Sequence, residues 1–184
     1  MKANRVRSSA SQSRPEGHGL ASSSQSHKLK DKSPEKAKAY AFLLLKFRLR
    51  SAKELEQRLK QKGFSEELSR ETVNFLKDKE FIDDRVFARG WVSSRLKRPF
   101  GLRRIKQELA QKGLDKEVIE NAFAWAKEDY QEAAIVKQLA EQRFAKSKDI
   151  EPIKAKQRIY AYLMRRGFSP ELVSDAVRKL PNEK

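Results

Sequence analysis

From residue 34 onward, apolar residues recur three and four positions apart with charged residues between them, which is the period of an amphipathic helix. Leu55 and Leu59, Ile105 and Leu109, and Ile159 and Leu163 are each spaced i, i+4, so each pair lies on one helix face. Four residues beyond each pair stands a glycine: Gly63, Gly113 and Gly167. A helix that ends in a left-handed residue selects glycine there, because glycine has no Cβ to clash. The next residue is apolar each time (Phe64, Leu114, Phe168), as a glycine cap requires if that residue is to fold back on the last turn. Ser65, Asp115 and Ser169 then offer N-caps, and Glu67, Glu117 and Glu171 fall in a first turn, where the helix dipole favours an acid. The new helices turn Leu68, Val118 and Leu172 inward, followed by Thr72 and Val73, Ala122 and Phe123, and Ala176 and Val177.

A longer helix precedes each of these pairs, at roughly 34–48, 84–97 and 128–145. Ser33 followed by Pro34 marks the first start, since proline's missing N–H costs little in a first turn. No alternation of apolar and polar residues supports strands. The predicted fold is all-α: an elongated array of three tandem three-helix, helix-turn-helix-like repeats spanning 34–80, 81–127 and 128–184, behind a tail at 1–33. The three glycines stand 50 and 54 residues apart, at or beyond the upper end for helical arrays. One such unit has a small core, so neighbours are expected to share apolar surface. The run Ala39–Leu49 is too short to span a bilayer and reads as a buried helix. Tyr40, Phe42, Phe75, Phe87, Trp91, Phe123 and Trp125 fall at helical spacing and are expected in the core rather than as base-stacking platforms. Gly90 falls inside a helix and is expected to permit close packing.

Charge adds a partner class. The formal net charge is +17, a field that draws nucleic acid, anionic membrane or an acidic protein. Residues 1–33 are rich in serine and carry seven basic residues against two acidic ones, which is +5 and leaves +12 on the rest. That composition reads as a disordered basic tail, with some likeness to an organelle transit peptide. Cysteine is absent and both histidines, His18 and His27, lie in the tail, so residues 34–184 hold no thiol nucleophile and no imidazole base, and no spacing suggests a Ser–Lys or carboxylate mechanism. The glycines are isolated, so no phosphate-binding loop is formed. The reading is of a binding protein that is not an enzyme and needs no cofactor.

Asp83 and Asp84, with Glu80 nearby, are simplest as a helix cap and a dipole-favoured charge; a metal would need further ligands. The stretch 95–104 holds Arg95, Lys97, Arg98, Arg103 and Arg104 at a predicted helix–helix corner. Two readings stand: a surface for phosphate or carboxylate, or a solvated corner with Phe100 turned into the core. Lys154, Lys156, Arg158, Arg165 and Arg166 form a second basic set open to the same alternatives. No predicted helix pairs a basic face with an exposed apolar one, which argues against a membrane-surface role.

Residues 36–180 resemble the RecX family, bacterial regulators of the RecA recombinase. The resemblance rests on Ser51, Glu54, Leu55, Leu59, Lys62, Gly63 and Phe64 in the first unit. In the second it rests on Ile82-Asp83-Asp84 with Phe87, Ala88, Val92, Arg95, Gly101, Ile105, Leu109 and Gly113, and in the third on Leu163, Arg166, Gly167 and Phe168. Trp91 replaces a usual tyrosine, and Pro99-Phe100 stand where polar or basic residues are expected. The resemblance implies a cytoplasmic, monomeric protein that binds RecA filaments, touches the single-stranded DNA inside them, and inhibits strand exchange and ATP hydrolysis in recombination and repair. The two basic sets are the candidate contacts. The rival is a direct DNA-binding protein of helix-turn-helix type, although no helix carries Arg, Asn and Gln spaced for base edges.

Overall fold

A computed structural model describes residues 33–126, 130–147 and 149–182. The readings of the N-terminal tail fall on residues outside this range. Among the described residues the chain forms nine helices and no strand: α1 (Pro34–Phe47), α2 (Ala52–Lys62), α3 (Glu66–Asp78), α4 (Asp84–Leu96), α5 (Leu102–Gln111), α6 (Lys116–Ala126), α7 (Glu132–Ala145), α8 (Pro152–Arg165) and α9 (Pro170–Arg178). Consecutive triplets pack together, giving the expected all-α array of three-helix units.

Local chemistry sets the ends. Ser33, Ser51, Ser65 and Ser169 each accept a backbone N–H from the residue three further on, relieving one orphan donor of the first turn. Gly63, Gly113 and Gly167 have φ of 95°, 80° and 79°. Behind them Phe64, Leu114 and Phe168 donate their N–H to the carbonyls of Leu59, Leu109 and Leu163. These are the glycine-capped ends read from the repeat, with Leu114 and Phe168 buried. The longer third helix begins later than its pattern suggested, at Glu132 with Gln131 as N-cap rather than near residue 128.

Each unit closes its own hydrophobic cluster. Leu55, Leu59 and Leu76 anchor the first; Val92, Ile105 and Leu109 the second; Val136, Leu163, Phe168 and Val173 the third, all of them fully enclosed. A fully buried leucine contributes about 2 kcal/mol of transfer free energy, so a handful per unit forms a small core. The expectation of shared apolar surface gives way to junctions made of polar groups.

The two junctions repeat one design. At the first, the Ser51 hydroxyl, at the N-cap of α2, donates to the Lys112 carbonyl (2.7 Å), and the Ala52 N–H donates to the Asp84 carboxylate (2.9 Å). At the second, the Gly101 N–H, at the N-cap of α5, donates to the Arg166 carbonyl (2.9 Å). The Leu102 N–H donates to the Glu132 carboxylate (3.0 Å). In both, the start of a unit's middle helix sits on the glycine turn of the next unit's middle helix. It also takes a carboxylate from the first residue of the next unit's leading helix. The N–H groups and the helix dipole both favour that carboxylate.

Some positions depart from their sequence reading. Phe42 and Trp125 are exposed rather than in the core, as are Leu43, Phe47 and Leu49 in the run read as a buried helix. The outer face of α1 therefore joins apolar side chains to lysines, a combination not expected of any helix here. Gly90 packs against nothing: a Cβ built there has no neighbour within 4 Å. Its place in α4 costs helix propensity without return. Gly90→Ala is expected to raise stability by about 1 kcal/mol in urea unfolding, and a loss would show that an unseen close approach requires glycine.

Candidate functional site

The basic corner lies at the junction between the second and third units, and its arginines divide into two groups. Arg95 and Arg104 converge on one carboxylate: Nε of Arg95 lies 2.7 Å from Glu108 and Nε of Arg104 lies 3.0 Å from it. Trp91 donates its indole N–H to the same group (3.1 Å). Burial works to raise the Glu108 pKa, but the hydrogen bonds from Arg104 and Arg95 outweigh it and hold the carboxyl below its usual range. Phe100 forms the platform of the corner, with the guanidiniums of Arg104, Arg166 and Arg95 at 4.4, 5.5 and 5.9 Å from its ring centre. Arg166 also donates to the Pro99 carbonyl across the junction (3.0 Å). Phe100 is half-buried against the second core, and the arginines around it tie this inner layer together.

Tyr130 closes the same junction, its hydroxyl donating to the Phe100 carbonyl at 2.6 Å. Burial pushes its pKa up to about 12, with the nearby Glu132 charge adding to the rise. Glu132 is itself raised by burial, partly offset by the N–H of Leu102. A phenol whose folded pKa lies above its unfolded value loses its stabilising contribution as pH climbs from about 10 toward 12. Ultraviolet titration of the folded protein should show a late phenol ionisation step near pH 12. Tyr130→Phe should delete that late step, and an unchanged profile would show that the hydroxyl is not held at the junction.

The outer layer of the corner carries the available charge. Lys97 and Arg98 are exposed at the end of α4, and their side chains have no partner among the described residues. Arg103, on α5, is exposed, with Glu171 of α9 within electrostatic reach. Arg165, on α8, is exposed and unpartnered among the described residues. Arg103 and Arg165 are brought together: with Arg104, Lys106 and Gln107 of α5 and with Met164 and Gly167 they line a groove of about 660 Å³ between α5 and α8. No carboxylate lines it. The matching groove between α2 and α5, of about 520 Å³, is mixed in sign, with Glu54 and Glu108 among Arg58, Arg95 and Lys112.

The second basic set does not assemble as one surface. Lys154 pairs with Glu151 at 3.1 Å, Lys156 donates to Asn182 at 2.7 Å, and Arg158 is exposed with no partner among the described residues. Arg165 and Arg166 instead join the corner from the next unit. Sequence reasoning missed Lys106, which lines the α5–α8 groove while bonded to Glu120 at 2.8 Å. Its signal was present: Arg103, Lys106 and Gln107 are three and four apart on one face of α5. Asp83 caps α4 by accepting the N–H groups of Arg85 and Val86 as read, while Asp84 reaches across to the first unit. No group of side chains among the described residues could hold a metal ion.

The fold and this surface define a class: a tandem array of small helical units, joined through polar junctions, that presents a basic groove where two units meet. Three family models match in order, each described as a three-helix domain of RecX: the first at residues 37–76, the second at 83–122 and the third at 129–177. The chain belongs to the RecX family of regulatory proteins. It is 35% identical over 119 residues to a protein named regulatory protein RecX from Pasteurella multocida, covering 64% of this chain and 71% of that one. It is also 35% identical over 139 residues to the Bacillus licheniformis protein of the same name, covering 74% of this chain. It spans only about half, 52%, of that relative's length. The solved structure of RecX from Lactobacillus salivarius superposes with a TM-score of 0.66 at 24% identity, over 80% of this chain and 96% of that one, which speaks to the fold. No helix among the described residues is long and apolar enough to cross a membrane.

Proposed function

We propose that this chain binds RecA filaments assembled on single-stranded DNA and restrains their strand exchange and ATP hydrolysis, acting as a cytoplasmic monomer in recombination and repair. The observation that carries the reading is the α5–α8 groove, where Arg103, Arg104, Lys106 and Arg165 from two units line one cleft without an acid. Such a cleft concentrates positive potential and suits phosphate or carboxylate groups on a repeating partner. Lys97 and Arg98 extend the same field at the corner, and Lys154, Lys156 and Arg158 give weaker support farther along α8. The polar junctions favour this use as well, because they fix the grooves at the boundaries between units, where a partner built of repeats can meet them in register.

The test adds the full chain to RecA filaments on single-stranded DNA and measures co-sedimentation and ATP hydrolysis. The expected outcome is binding far tighter than to bare DNA at physiological salt, with slowed hydrolysis. Sequence-specific binding to duplex DNA with hydrolysis unaltered would replace the reading with that of a direct DNA-binding protein. Affinity for bare DNA is expected to fall steeply with salt, since it comes from counterion release.

A further inference from the structure

The outer face of α1 departs from the matching faces of the other leading helices among the described residues. Superimposing the buried seams Ala37 and Ala41, Ala88 and Val92, and Val136 and Ala140 aligns α1 with α4 and α7. At the three matching positions the second unit has Ser93 and Ser94 in α4 and Arg98 just past its end, and the third has Glu141 and Gln142 in α7 and Lys146 at its C-cap. In α1 the same positions are Phe42, Leu43 and Phe47, which are 38%, 50% and 75% exposed. Phe81, 53% exposed and following α3, meets Phe42 edge to face with ring centres 4.8 Å apart, widening the patch beyond the helix. Two sister helices show that the fold asks for polar residues there, so these aromatics are not needed to close the core. A clustered exposed apolar face of this kind marks an interaction site.

We infer that this face docks an amphipathic helix of a protein partner whose apolar stripe is flanked by acidic residues. Charge identifies the occupant. Helix α1 carries Lys36, Lys38 and Lys46 against Glu35 alone, and Lys46 stands between Leu43 and Phe47 on the exposed side. A second copy of the chain would set Lys46 against Lys46 between two bodies of net charge +17. A lipid surface fits poorly as well: α1 is 14 residues long, and its opposite seam, Ala37 and Ala41, is locked in the core, so it cannot roll to bury a long stripe. Apolar anchors a helical turn apart, with a cation between them, are what an acid-flanked helix lying along α1 requires.

The inference rests on the proposed function for its probe, the RecA filament on single-stranded DNA, but concerns a different surface. The variant Phe42→Ser, Leu43→Ser, Phe47→Ser replaces the three anchors by neutral polar residues, two of them those α4 bears at the matching positions, and its helical circular dichroism should match the parent. Filament affinity should fall at least tenfold, and by the same factor at low and high salt, because apolar contact is not screened. Lys46→Glu, an exposed single change, should weaken binding several-fold at low salt and less at high salt, and serves if the triple variant misfolds. Parent-like binding by either folded variant overturns the inference while leaving the proposed function standing; a parent chain that does not bind filaments overturns both. Flotation with phosphatidylglycerol vesicles that depends on Phe42, Leu43 and Phe47 would instead assign the face to membrane. Dimerisation of the parent, abolished in the triple variant by analytical ultracentrifugation, would assign it to a second copy.

Discussion

Replacing Gly167 by valine is expected to cost about 3 kcal/mol or more and to separate the melting of the third unit from the rest. Two penalties add at this residue. Its φ is +79°, and a left-handed conformation costs an L-residue about 1–2 kcal/mol, more when the side chain is β-branched. The added Cβ would also lie 2.3 Å from Cβ of Arg104 and 2.7 Å from its backbone nitrogen. Relieving that overlap means moving α5, and overpacking of this kind costs about 1–3 kcal/mol. Gly113→Val meets the same conformational strain, but its overlap is with the side chain of Lys53, whose Cγ and Cδ can swing away, while Cβ, 2.6 Å from the added carbon, yields only by a small shift of α2. It should therefore cost more than about 1 kcal/mol, yet clearly less than Gly167→Val. Gly101→Ala isolates the other half of the effect. Its φ is −70°, so no strain arises, but its Cβ would lie 2.1 Å from the Gly167 carbonyl and the Phe168 nitrogen. Urea unfolding of the three variants checks the order; equal losses for Gly113→Val and Gly167→Val would show that the second junction yields freely.

Loss of the two exposed arginines in the α5–α8 groove should give the largest functional effect. Arg103→Ala with Arg165→Ala removes one guanidinium from each wall without touching the Glu108 pair or the Pro99 contact. Filament affinity is expected to fall tenfold or more at low salt, with the deficit shrinking as salt rises, because screening already weakens the parent's attraction. Helical content and unfolding midpoint should stay close to the parent, as exposed charges rarely change stability by more than about 0.5 kcal/mol. Arg104→Ala and Arg166→Ala belong to another class. Each removes a tie that holds the corner together, so a loss of binding there would come with a loss of stability. If the Arg103 and Arg165 variant folds and binds as the parent does, the contact surface lies elsewhere, and Arg98 with Lys97 is next.

The repeat was legible because the features that define it are local. A pair of apolar residues one turn apart, a glycine, an apolar residue and a serine or aspartate together specify helix, stop and restart within a dozen residues. Their geometry is set by hydrogen bonds that reach no farther than five residues. The basic corner was legible as a density of charge, and Asp83 as a cap for the same local reason. Gly113 and Gly167 were read correctly as left-handed, but Gly101 was read only as a place in a motif, since its need for a missing Cβ comes from a backbone 66 residues away.

What the amino-acid order determined alone was therefore the fold class, most of the helix ends and the kind of charge the protein presents. Tertiary structure decided which charges are available. Arg95, Arg104 and Arg166 look like Arg98, Arg103 and Arg165 in one dimension, yet the first three are held by Glu108, Phe100 and Pro99 while the others face solvent or a shared groove. It also decided that Asp84 and Glu132 join units, and that Phe42 and Phe47 lie outside the core. The reason is the same in each case. Hydrogen bonds within a helix depend on neighbours in the chain, whereas burial, pairing and accessibility depend on what the fold brings from another unit, and a side chain's own type cannot report that.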